Sequence, residues 1–175
     1  PDSVPRALTA IETALLGRRH GLRAVRYNSH FVETASLAYL VCQVVPDVDA
    51  YGGIALNRSV GGFNAEAVKR MAAMTGGHGR IVWMPTHDSE HEVDYNKETR
   101  AKAIVSRNGK LIPEVFEVLD LIKERNLTLA TGHVTPEEAL MIMAEAKKRG
   151  ITKIIVTHPL LGPQRGEGGT DFGEM

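Results

Sequence analysis

Apolar residues in this chain alternate between two spacings. Five short runs, 23–29, 50–57, 80–86, 127–133 and 152–158, are mostly apolar, and several are continuous, as in Lys153-Ile154-Ile155-Val156. Such runs predict strands covered on both faces, which are usually parallel. Between them the apolar period lengthens to three and four. Residues 3–20 carry Ala7, Leu8, Ile11, Ala14 and Leu15 at that spacing, and 33–44 carry Leu37, Leu40 and Val41. Residues 113–125 carry Val115, Val118, Leu119 and Ile122 behind a first-turn Pro113, again the stripe of a half-buried helix. Asn64 caps a helix predicted over 64–75 that ends at Gly76-Gly77. The last helix has the clearest start. Thr135-Pro136-Glu137-Glu138 reads as a capping box with Pro at the first helical position, and Lys147-Lys148-Arg149 precede Gly150 at its end.

The predicted order is a helix followed by five strand steps. Strand starts lie 27, 30, 47 and 25 residues apart, and three of these intervals fit a βα unit. The long interval holds an insertion over 87–112. It is polar and charged, and Ser106-Arg107-Asn108-Gly109-Lys110-Leu111 predicts a hairpin with an Asn-Gly turn. It follows the carboxyl end of a strand, where α/β proteins carry lids over active sites; a solvated excursion is the alternative. Residues 161–175 are Gly-rich and aperiodic. They predict a loop or disordered tail behind a single domain over 1–160.

Charge narrows the partners. Lys and Arg total 21 and so do Asp and Glu, so no basic footprint for nucleic acid or an anionic membrane is expected. The one cysteine, Cys42, excludes a disulfide scaffold and reads as a buried thiol inside an apolar helix. No apolar run approaches the ~18 residues of a membrane span, and the first residues do not have the pattern of a signal peptide. The expectation is a soluble, cytoplasmic protein acting on a small molecule. The first residue is not Met, which suggests a missing piece in front.

Candidate chemistry gathers at strand ends. Thr131-Gly132-His133 and Val156-Thr157-His158 close two successive predicted strands. Parallel neighbours lie ~4.8 Å apart, so both imidazoles are expected at one sheet edge. His133 is expected to share a face with Leu129 and Thr131, and Pro159 to hold His158 extended. Such a pair suits two ligands to one metal, or a ligand beside a base. His30 lies just past the first strand end. Thr86, His87, Asp88 and His91 follow the third, where Pro85 and the acidic context argue against a helix. After the second strand, Asn57 and Arg58 sit in a Gly-bracketed loop before a helix. Backbone N–H groups and a guanidinium there predict an anion site; a tight βα turn is the bland alternative. The substrate-contact candidates are Arg58, Asn57, Thr86, His30 and Asp88.

These residues carry a resemblance. Tyr51–Asn64, Val82-Trp83-Met84-Pro85-Thr86, Ala130–Glu138 and Val156-Thr157-His158-Pro159 resemble a poorly characterised family of amidohydrolase-like, metal-dependent hydrolases with a TIM-barrel fold. The resemblance implies that the five strands are the second to sixth of an incomplete (β/α) TIM barrel. It implies His133 as a metal ligand, and His158 as a second ligand or as the catalytic group that stabilises an oxyanion. The cofactor implied is a divalent ion, zinc being the first choice, which activates water against a C–N or C–O bond. Departures are large. No His-x-His occurs, no seventh or eighth strand follows His158, and a barrel takes ~250 residues. The metal is therefore expected to be weak or absent in this chain. The alternative is an α/β module without catalysis that binds an anion, or pairs its open sheet edges in a homo-oligomer.

Overall fold

The computed structural model describes residues 6–159. The tail read as a loop, 161–175, lies outside the described residues.

Five parallel strands form one sheet, β1 (Ala24–Arg26), β2 (Asp49–Ala55), β3 (Gly79–Trp83), β6 (Thr128–Ala130) and β7 (Ile154–Ile155), in the order β1-β2-β3-β6-β7. Six helices accompany them: α1 (Ala10–Arg19), α2 (Ala35–Val44), α3 (Ala65–Ala72), α4 (Glu90–Tyr95), α5 (Pro113–Glu124) and α6 (Pro136–Lys148). The two-residue strands β4 (Ser106–Arg107) and β5 (Lys110–Leu111) pair as the antiparallel hairpin that the Asn-Gly turn predicted. Asn108 and Gly109 have φ of 50° and 69°, the left-handed values a tight two-residue turn needs.

The expectation of an incomplete TIM barrel is not met. The sheet is open, with β1 and β7 at its two ends among the described residues, and six helices surround five strands in place of a closed ring. Closure needs a last strand paired with the first, and eight strands are the usual number that reach around. Among the described residues no helix is long and apolar enough to cross a membrane.

Sequential strand order makes each crossover run the same way, and right-handed crossovers then carry helices to one face. The burial pattern follows. Ile54, Val82 and Leu129 are register partners across β2, β3 and β6, and all three belong to the main core with Met71 of α3, Leu119 of α5 and Ile142 of α6. The alternate residues Ala55, Trp83 and Ala130 are also register partners, and they form a separate small cluster with Ile81 on the other face. A Cβ on Gly53 would lie 2.7 Å from the Trp83 ring and 2.1 Å from the Ile81 carbonyl, so glycine at 53 is what lets the indole lie flat there.

Helix starts match their local chemistry. Thr135 and Glu138 form the reciprocal capping box at α6, and Asn64 Oδ1 accepts from Ala67 N–H at α3. A second box, Thr9 with Glu12, starts α1 at Ala10, later than the predicted 3–20. Helix α4 arises where none was expected: Ser89 caps it by accepting from Glu92 N–H, and Pro85 lies far enough upstream not to interfere.

Replacing Thr135 with alanine is expected to destabilise the fold by about 1 kcal/mol. Urea midpoints of the two proteins check this; equal midpoints would mean that the box carries no stability.

Candidate active site

A cleft of about 420 Å³ opens at the carboxyl ends of the strands, on the sheet face opposite α3, α5 and α6. Arg26, His30, Trp83, Thr86, Glu92, His133 and His158 are among its walls.

Two loops bring His30 and His133 together. Gly132 ends the ladder after β6 with φ of 73°, and a Cβ there would lie 2.4 Å from the carbonyls of Met84 and Pro85. That close approach lets His133 N–H donate to Pro85 C=O at 2.9 Å. Because the strand stops at Ala130, alternation does not continue to His133. Leu129 faces the helices, while His133 faces the cleft. His158 takes φ of 52°, not the extended backbone that Pro159 favours. The chain turns there because Thr157 N–H donates to Thr131 Oγ1 at 2.9 Å, and Gly132 N–H donates to Thr157 Oγ1 at 3.1 Å. The rings of His133 and His158 are 5.2 Å apart between centroids, and those of His30 and His133 5.8 Å.

Each of the two facing imidazoles has a partner on Nδ1, and the partners are of opposite kind. His133 Nδ1 lies 3.0 Å from Glu92 Oε2, and both side chains are buried. An ionised carboxylate only accepts, so Nδ1 carries the hydrogen and the neutral ring presents Nε2 as a base. His30 Nδ1 lies 2.8 Å from Thr86 Oγ1. That hydroxyl already accepts from Asn57 Nδ2 at 2.7 Å. The orientation of the Asn57 amide follows from its other end, where Oδ1 accepts the N–H groups of Thr86 and Asp88 at 2.9 and 3.1 Å. With one lone pair so used, the Thr86 hydroxyl can give its proton to His30 Nδ1, and that direction would put the hydrogen of the neutral ring on Nε2. Asn57 and Thr86, placed by the sequence among substrate contacts, lie at 0% and 3% exposure; Asn57 serves as the buried brace of the loops, and Thr86 lines the cleft beside His30.

Asp88 and Arg58 lie at the rim. Arg58 is exposed, its side chain is not among the cleft walls, and its N–H donates to Asp88 Oδ2 at 2.8 Å. The anion attracted by this turn is thus the chain's own Asp88, whose other oxygen accepts from Arg100. His87 packs near His30 and Phe31 with ring centroids 6.0 and 5.7 Å away, and His91 packs on Tyr95 at 6.4 Å. Sequence reading missed Glu92. The signal was Ser89-x-x-Glu92, a capping-box spacing, in which the Glu side chain turns to His133 instead of back to Ser89. Ser89 also donates to the His133 carbonyl at 2.6 Å, so the start of the insertion is fastened to the site.

Residues 1–167 match DUF6282, a family of unknown function. The chain belongs to this family. No curated protein and no solved structure matches it.

In this DUF6282 member the donors for the implied divalent ion do not fit. Among the described residues no three His, Cys, Asp or Glu side chains converge to hold a metal, whereas a catalytic zinc usually takes three protein ligands and a water. His133 and His158 alone are two. The expected outcome is that the chain, loaded with zinc and passed through a desalting column, keeps no stoichiometric metal by elemental analysis. One tightly held ion per chain, lost on His133→Ala, would contradict this.

Proposed function

We propose that this protein is a hydrolase of a small polar substrate and that it works by general acid–base chemistry between His133 and His30. The observation that carries the reading is the pair of unlike Nδ1 partners on two neighbouring imidazoles, the Glu92 carboxylate on His133 and the Thr86 hydroxyl on His30, which favour opposite neutral tautomers. His133 Nε2 takes a proton from water as the water oxygen attacks a carbonyl carbon. The electron pair displaced to the carbonyl oxygen is met by the His30 Nε2–H. Collapse of the tetrahedral species expels the leaving group, which receives the proton held on His133, and the neutral tautomers return. Glu92 holds the His133 ring in orientation and stabilises its cationic form in the middle of the cycle, as a carboxylate does behind a catalytic histidine. The amidohydrolase-like resemblance supports hydrolysis as the reaction type. The location supports it too, since ligands of open parallel sheets bind beyond the carboxyl ends of the strands.

Activated aryl esters, lactones and anilides of small acids form the test panel. Turnover of at least one is expected, with His133→Gln lowering it about 100-fold or more and Glu92→Gln by a smaller factor, in line with the worth of a positioned base. Circular dichroism confirms that each variant is folded. Turnover of none, or turnover that survives His133→Gln, would leave the binding module without catalysis as the better account.

A further inference from the structure

Arg26 ends β1, and its guanidinium carbon lies 4.9 Å from the centre of the Trp83 ring. The side chain lines the cleft. Arg70, Arg100, Arg125 and Arg149 each pair with a carboxylate; Arg26 has none among the described residues. Burial pushes its pKa down from the ordinary arginine value, and no neighbouring acid opposes that shift. Glu92 is the acidic side chain of the cleft, and it is engaged with His133. Arg26 is therefore a cation in the cleft wall with no carboxylate paired to it among the described residues, while the Glu92 carboxylate is held at His133. The guanidinium lies over the indole as a cation–π contact, and a guanidinium so placed can recognise planar oxyanions in a forked pair of hydrogen bonds.

We propose that Arg26, held on Trp83, anchors an oxyanion of the substrate, a carboxylate or a phosphate, in the cleft between β1 and the histidines. This deepens the hydrolase reading and rests on it for the identity of the cleft as the active site. The substrate class is then a small acid or phosphate ester whose anionic end lies toward β1 and whose reacting carbonyl lies toward His133. The role of anion anchor that the sequence suggested for Arg58 passes to Arg26, because the Arg58 turn is already occupied by Asp88.

Calorimetric titration of the full chain with malonate and with inorganic phosphate, at low ionic strength, tests the proposal. Trp83 is the one tryptophan, so its fluorescence gives a second readout from the anchor itself. Saturable one-to-one binding of at least one probe is expected, and the probe that binds tells carboxylate from phosphate. Arg26→Gln should weaken it about tenfold or more, the worth of a charge-assisted hydrogen-bond pair. Arg26→Lys keeps the charge without the flat fork and should fall between; it also serves should Arg26→Gln fail to fold. Arg58→Gln removes the same charge outside the cleft and should leave affinity unchanged. No saturable binding of either probe, or equal losses in Arg26→Gln and Arg58→Gln, would overturn the anchor. Binding through Arg26 in a protein that hydrolyses no ester would overturn the hydrolase reading and leave the anchor standing.

Discussion

The amide of Asn57 is the joint on which the site depends. It is fully buried at the end of β2, and its four hydrogen bonds reach the His30 carbonyl, the Thr86 hydroxyl and the N–H groups of Thr86 and Asp88. One side chain thus ties the loop after β1 to the loop after β3. A buried amide left half satisfied would cost roughly 1–3 kcal/mol per lost partner, so these loops have little freedom to separate. Two consequences follow. The Thr86 hydroxyl is held against His30 Nδ1, and the insertion starts in the direction that brings Ser89 and Glu92 onto His133.

What the sequence showed and what it hid divide along physical lines. Continuous apolar runs and three- and four-residue stripes located all five sheet strands and five of the six helices, because burial on a sheet or helix face is written in periodicity. The Asn-Gly turn and the Thr135 box were legible because backbone geometry there demands particular residues. An incomplete barrel of five strands was expected, but a sequential run of βα units looks the same in an open sheet and in part of a ring, so the sequence did not tell the two apart. Helix α4 was missed because its six residues are too few to show a stripe. With it went Glu92, whose partner is 41 positions away in the chain. The two histidines could be placed at one sheet edge from spacing alone, but no spacing rule specifies what stands behind each ring.

The two faces of the sheet divide stability from chemistry. Ile54, Val82 and Leu129 pack under the helices, while Ala55, Trp83 and Ala130, one residue further along each strand, floor the cleft. The small residues at 53, 55 and 130 leave room for the indole, and the indole in turn carries Arg26. The same alternation that builds the core therefore also sets Trp83 and Arg26 in the wall of the cleft.

The central claim is that the two facing imidazoles are held in opposite neutral tautomers. Long-range 1H–15N correlation NMR on the 15N-labelled protein, at a pH where both rings are neutral, reads this directly. The account predicts the Nδ1–H tautomer for His133 and the Nε2–H tautomer for His30. The same tautomer on both rings, or Nε2–H on His133, would contradict it.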